Sequence, residues 1–183
     1  MKKIRVAING FGRIGRAFLK VAWDRPEIEI VAVNDLGDIA NMAYLLKYDT
    51  AYGKWKHENI AYEGADLIID NKKVKFLSEN DPTKLLWKDL EIDVVVESTG
   101  VFVTYEKAKV HLQAGAKKVV VTAPMKDNPK DAGVEGATIL LGVNEEYFGK
   151  CDITSNASCT TNAASPLIAI LDETLGIEKA LLS

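Results

Sequence analysis

The sequence predicts an α/β fold: a mostly parallel sheet with helices on both faces and a small antiparallel excursion near residues 57–77. Three observations predict it. Strand and helix signals alternate along most of the chain, the pattern of βαβ units. The first strand runs into a loop with three glycines that opens a helix. Between residues 57 and 77 the alternation gives way to three short strand signals without helices between them.

Each element has its own signal. Residues 4–8 form a short β-branched run. Over residues 13–24, helical spacing puts Ile14, Ala17, Phe18, Val21 and Ala22 on one face, and Pro26 ends that helix. A second strand is expected over 28–33, then a helix over 38–48 with Asp38 as N-cap. Short antiparallel strands are expected at 59–62, 67–69 and 74–77, with Asn71, Lys72 and Lys73 in the last turn. The parallel theme resumes at 94–96. A helix over 105–114 follows, closed by Gly115, and then a strand over 118–122. Residues 124–137 hold two prolines and several charges and read as a surface loop. Strands are expected at 139–141 and 153–155. A helix over 159–175 is closed by Gly176, and residues 180–183 begin a further strand.

Of the 183 residues, 48% are hydrophobic and 27% charged, which fits a globular domain with a real core. With 23 basic against 26 acidic residues, the net charge of −3 gives no electrostatic reason to expect nucleic acid or an anionic membrane as partner. No apolar run reaches the ~18 residues of a membrane helix. Residues 1–8 read as a strand and not as a signal peptide. Two cysteines, Cys151 and Cys159, are too few for a disulfide framework and favour a reducing cytoplasm. No metal-ligand set is expected.

The first βα junction reads Ile8-Asn9-Gly10-Phe11-Gly12-Arg13-Ile14-Gly15-Arg16. It fits the dinucleotide fingerprint of a Rossmann-type fold. Gly10 allows the tight turn, Gly12 lets backbone approach a pyrophosphate, and Gly15 lets the helix pack on the strand. The amides of Arg13 and Ile14 then point from a helix N-terminus toward the phosphates. Asp35 lies 20 residues beyond Gly15, at the end of the second strand, where a carboxylate meets the ribose hydroxyls. That carboxylate would repel a 2′-phosphate, so NAD is expected rather than NADP. A helix cap or turn role for Asp35 is the alternative.

The segment Ser155-Asn156-Ala157-Ser158-Cys159-Thr160-Thr161-Asn162 follows a strand and opens a helix. Backbone amides and the helix dipole there favour a thiolate at Cys159, which can attack an aldehyde. Ser158 and Thr160 would bind an anionic oxygen or cap the helix. Asn162 would contact the substrate or serve the helix start. Cys151 has no activating partner in sequence and reads as incidental; a redox pair with Cys159 would lack the usual Cys-x-x-Cys spacing. His57 and His111 are expected in surface or packing roles.

These segments, with Tyr48-Asp49-Thr50, Glu97-Ser98-Thr99-Gly100-Val101-Phe102, Thr122-Ala123-Pro124 and Gly142-Val143-Asn144, stand where one family carries its signatures. Over nearly its whole length the chain resembles the phosphorylating, NAD-dependent glyceraldehyde-3-phosphate dehydrogenases. The resemblance implies that Arg13 and Ile14 hold the pyrophosphate and Asp35 the adenosine ribose. Asn80 stands near the adenine, where the family commonly has arginine. Thr99, Gly100 and Thr122 would line the path to the nicotinamide. Cys159 would form a thiohemiacetal and then a thioester, which inorganic phosphate cleaves, with Ser158 and Thr160 in the substrate and phosphate sites.

The resemblance further implies a glycolytic, cytoplasmic homotetramer acting on glyceraldehyde 3-phosphate. Residues 1–158 would be its NAD-binding domain, and 159–183 the start of a catalytic domain. The family's general-base histidine follows soon after the position of Ser183, so this chain alone is expected to be nearly inactive. Residues 124–137 look longer than the family's usual loop. Erythrose-4-phosphate dehydrogenase, a close relative, and a non-catalytic NAD-binding module remain the alternatives.

Overall fold

A computed structural model describes residues 2–57 and 59–181. Its core is a nine-stranded sheet in the order β10-β11-β9-β8-β1-β2-β7-β6-β5. The strands are β1 Ile4–Asn9, β2 Ile28–Asn34, β5 Ile60–Glu63, β6 Asp66–Ile69, β7 Lys72–Leu77, β8 Val94–Glu97, β9 Lys118–Val121, β10 Gly136–Thr138 and β11 Ile153–Ser155. Pairings from β10 across to β7 are parallel. The β5–β6–β7 meander is antiparallel. The expected antiparallel excursion is therefore present, and it extends the main sheet, because β7 pairs parallel with β2. The β6–β7 turn is made by Asp70 and Asn71, both at positive φ, while Lys72 and Lys73 already belong to the strand. A separate hairpin of β3 Tyr48–Asp49 and β4 Gly53–Lys54 was not expected.

Alternation along the strands explains why both faces are covered. Val6, Ile8, Val33 and Val96 enter one apolar cluster together with Leu19 and Ala22 of α1 Arg13–Ala22 and Ala43 and Leu46 of α2 Ile39–Lys47. Ala7, Ala32 and Val95 enter the opposite cluster with Leu85, Trp87 and Ile92. A third cluster joins Val119, Val121 and Ile153 to Tyr105 and Ala108. The helix expected over 105–114 is two short segments, α3 Tyr105–Ala108 and α4 Val110–Gln113. Asp38 caps α2, accepting from the Asn41 amide at 3.0 Å, as expected.

Three expectations need correction. Of the face expected in α1, Ala22 is buried and Phe18 packs against the core, but Ile14 and Val21 face solvent, and Gly15, Arg16 and Leu19 are buried instead. Gly15 sets this rotation, because any side chain there would collide with the Gly10 carbonyl. The strand expected at 139–141 lies instead at Gly136–Thr138, where Gly136 packs under the Tyr105 ring. Of the loop expected over 124–137, residues 124–135 are irregular, Gly136 and Ala137 belong to β10, and the irregular part is pinned. Asp127 accepts from the Tyr105 and Glu106 amides, and Lys109 Nζ donates to the Ala132 carbonyl at 2.8 Å. The last helix, α5, spans Cys159–Leu175 and ends at Gly176 with φ +74°, as expected. None of its residues is buried. Of the strand expected over 180–183, residues 182 and 183 lie outside the described residues, and Ala180 and Leu181 are not in a strand. Among the described residues no helix is long and apolar enough to cross a membrane.

Candidate functional site

Chain order sends β2 to one side of β1 and β8 to the other, so the strand order reverses beside β1. At such a switch point the carboxyl ends of the strands open a crevice. A cleft of about 410 Å³ lies there. Its wall includes Gly10, Gly12, Asp35, Asn80 and Thr99 from the sequence-predicted set. Arg13 and Ile14 begin α1 and are exposed outside that wall. Gly100 is exposed at φ +75°, and Thr122 is half-buried, its hydroxyl donating to the Glu97 carbonyl at 3.0 Å. The cleft therefore brings together five of the nine predicted cofactor residues.

The glycine loop is built for close approach. Gly10 has φ +89°, and a Cβ there would stand 2.6 Å from the Thr99 amide nitrogen. At Gly12 a Cβ would meet no atom within 4 Å, so its open side faces the cleft and not the protein. Asp35 ties the two βα turns together: one carboxylate oxygen accepts from the Phe11 amide at 2.6 Å and the other from the Gly37 amide at 2.8 Å. Each oxygen keeps acceptor capacity for a ligand hydroxyl. Arg16 turns inward and donates from Nη1 to the Phe11 carbonyl at 2.8 Å. Burial pushes its guanidinium down, and nearby Asp49 and Asp35 partly offset this. Asp49 is itself held below the usual carboxylate range by the Tyr52 and Ala51 amides.

Beneath the cleft lies a polar chain that sequence reasoning missed. Register places Asn9 beside Asn34 on one side and Glu97 on the other. Asn34 Nδ2 donates to Asn9 Oδ1 at 2.8 Å, and Asn9 Nδ2 donates to Glu97 Oε2 at 2.6 Å. Glu97 also accepts from the Thr99 amide at 2.7 Å, from the Thr99 hydroxyl, and from His111 Nε2 at 2.9 Å. Trp87 Nε1 donates to His111 Nδ1 at 3.1 Å. His111 is fully buried, so the packing reading of this residue holds and the surface one does not. His57 bridges Asp70 and Asp24 instead. The only sequence signal for this chain was the polar residue ending each of three apolar strands.

The cradle fits a dinucleotide by its own features. Ser98 Oγ, in the cleft wall, is buried without a hydrogen-bond partner, the Gly12 side is open, and the Asp35 oxygens are half satisfied. Among the described residues no group of three His, Cys, Asp or Glu side chains could hold a metal ion.

The nucleophile segment crosses from β11 to α5. Ser155 Oγ donates to the Ala123 carbonyl at 2.7 Å and accepts from the Ala157 amide at 3.0 Å. Ala157 is left-handed at φ +58°, a turn that sets Ser158 as the cap and starts the helix at Cys159. Ser158 caps α5, accepting from the Thr161 amide at 3.1 Å, and its hydroxyl pairs with those of Thr160 and Thr161. The capping alternative for Ser158 is thus realised. Asn162 Nδ2 donates to the Asn156 and Ser158 carbonyls, so it too serves the helix start. Cys159 is exposed at the first turn, whereas Cys151 is buried, and burial pushes its thiol up. Both cysteines are free.

Comparison with known proteins agrees with this geometry. The family model described as "Glyceraldehyde 3-phosphate dehydrogenase, NAD binding domain" matches residues 4–105. The chain is 48% identical over 182 residues to glyceraldehyde-3-phosphate dehydrogenase of Thermotoga maritima, covering 98% of the chain and 52% of that relative. It is 45% identical over 180 residues to the cytosolic enzyme of Trypanosoma brucei brucei, covering 98% and 52%. It is 47% identical over 181 residues to the chloroplastic B form of Pisum sativum, covering 97% and 39%. The chain thus spans about half the length of the curated relatives it first matches. With a glycine loop, Asp35 and a switch-point cleft all inside the matched sheet, the chain belongs to the glyceraldehyde 3-phosphate dehydrogenase family and carries its NAD-binding domain.

Proposed function

We propose that this chain supplies the cofactor site and the nucleophile of a phosphorylating, NAD-dependent oxidation of glyceraldehyde 3-phosphate. The observation that carries the reading is the junction of two sites on one sheet edge. A dinucleotide cleft opens at the ends of β1, β2 and β8, and an exposed Cys159 begins the helix after β11. When bound, NAD supplies the hydride acceptor. The Gly12 to Ile14 backbone holds its pyrophosphate and Asp35 its adenosine ribose. Asn80 stands on the adenine side, and Thr99, Gly100 and Thr122 lead toward the nicotinamide.

The Cys159 thiolate adds to the aldehyde carbon, giving a thiohemiacetal whose oxygen the helix-start amides stabilise. Because thiolate addition leaves that oxygen anionic, loss of hydride alone, to the nicotinamide the cleft would hold, leaves a thioester on Sγ. Inorganic phosphate then attacks its carbonyl, releasing 1,3-bisphosphoglycerate and returning the thiolate. Ser158 and Thr160 are assigned to the substrate and phosphate sites. Their hydroxyls already pair with each other, so binding an anion would draw on the same cluster. His57 and His111 are engaged by other partners, so neither is assigned as base.

Residues 1–158 are assigned to the cofactor domain and 159–183 to the start of a catalytic one, which fits an α5 with no buried residue. A cytosolic homotetramer is the assembly proposed for the whole protein; the Trypanosoma relative's name supports the location. Calorimetry of this chain with NAD, followed by single turnover of the whole protein on glyceraldehyde 3-phosphate read by intact mass, tests the reading. One NAD per chain and an acyl adduct confined to Cys159 are expected. Saturable NAD binding with no adduct on Cys159 would overturn the nucleophile assignment.

A further inference from the structure

The fully buried His111 has no obvious reason to be a histidine if its role were only to fill space. It sits in a polar line that begins at the Trp87 indole and ends in the cleft wall. An indole N–H only donates, so His111 Nδ1 is the lone-pair nitrogen and Nε2 carries the hydrogen. That hydrogen points at Glu97 Oε2, 2.9 Å away. Glu97 Oε1 in turn accepts from both the amide and the hydroxyl of Thr99, and the Thr99 hydroxyl accepts from the Val101 amide at 3.0 Å. The loop from Ser98 to Phe102 is therefore shaped from below by one carboxylate. On its other side the loop backbone lies against Gly10. His111 also reaches the wall by packing, edge to face on Phe102 with centroids 5.5 Å apart.

We infer that His111 is a positioning residue for cofactor binding: through Glu97 it fixes the Thr99 turn that forms one wall of the cleft, without itself touching ligand. The inference rests on the NAD reading of that cleft. Its energetic basis is that Glu97, as a carboxylate, has only acceptor sites and is met by four donors. An amide in its place would turn an NH₂ toward one of the Thr99, Asn9 or His111 hydrogens.

The test uses the 183-residue chain. His111→Phe keeps the ring on Phe102 but loses both hydrogen bonds, while His111→Gln can restore both, accepting from Trp87 and donating to Glu97. Expected are an about three- to tenfold weaker NAD affinity for H111F, comparable weakening for Thr99→Val, and recovery of most of the loss in H111Q. Because both act through one turn, the H111F/T99V double variant binds no more than about twofold weaker than T99V alone. H111F with wild-type NAD affinity, or losses that multiply in full, would overturn the inference and leave His111 a scaffold residue.

A second measurement needs no variant. During an NAD titration of the wild-type chain followed by NMR, the Trp87 indole N–H moves with the Phe11 amide, while those of Trp23 and Trp55, in a different apolar cluster, stay in place. A Phe11 amide that saturates with Trp87 unmoved overturns the positioning role. If neither moves, the cofactor reading of the cleft falls, and the positioning role with it.

Discussion

Asp35→Asn isolates what the carboxylate at the end of β2 does for fold and for cofactor choice. The side chain keeps its shape but has one acceptor oxygen instead of two. Wild-type Asp35 accepts one amide on each oxygen, Phe11 at 2.6 Å and Gly37 at 2.8 Å. In the variant one of these amides faces an NH₂ group. A hydrogen bond to a charged acceptor contributes about 1.5–3 kcal/mol, and the loss is borne by the folded state. For a domain of this size each kcal/mol lowers the melting midpoint by about 2–4 °C, so the expected drop is about 3–12 °C. Ligand effects follow from the same change. Ribose hydroxyls lose a charged acceptor, so NAD affinity falls by about five- to tenfold. The 2′-phosphate of NADP loses a repelling charge, so the preference for NAD over NADP narrows. Differential scanning fluorimetry reads the first effect and calorimetry with the two dinucleotides the second. A variant with an unchanged midpoint and an unchanged NAD-to-NADP ratio would refute the reasoning.

Two glycines of the loop should separate cleanly. Gly15→Ala puts a methyl into the Gly10 carbonyl and is expected to destabilise the fold by about 2 kcal/mol or more, read by urea denaturation. Gly12→Ala meets nothing in the protein, so it should leave stability within about 1 kcal/mol while weakening NAD in calorimetry. The acid limb of stability should depend on Asp93. The Arg5 amide and then Lys117 hold its carboxyl below the usual range. A lowered folded-state value gives stability that is full above about pH 4 and is lost as pH falls through that lowered value. The stability gap between wild type and Asp93→Asn, measured by urea melts at several pH values, should therefore be widest near neutrality and close in acid. Alkylation with iodoacetamide should modify exposed Cys159 at once and buried Cys151 only on unfolding, as peptide mapping would show.

Much of the fold was legible because local chemistry and global packing agree. Asp38 caps α2, Gly176 closes α5, and β-branched runs make the central strands. The misread α1 face shows where such reading stops. Beside Leu19 and Ala22, its buried face includes Gly15, which carries no hydrophobic signal, and Arg16, which reads as polar yet turns inward to the Phe11 carbonyl. The strand at Gly136–Thr138 was hidden for a related reason: small residues fit there because Tyr105 occupies the space above them. In the site, Gly10, Gly12 and Asp35 could be found by motif and spacing. The Trp87–His111–Glu97–Asn9 chain could not, since Asn9 and Glu97 lie 88 residues apart and meet only through the β1–β8 register.

We place the cofactor in the cleft between the glycine loop and Asp35. Amide NMR of the 183-residue chain during NAD titration tests it most directly. The resonances of Phe11, Gly12, Asp35 and Thr99 should shift together along one saturable curve. If NAD leaves those four in place up to millimolar concentration, or shifts a set elsewhere on the chain, the account is contradicted.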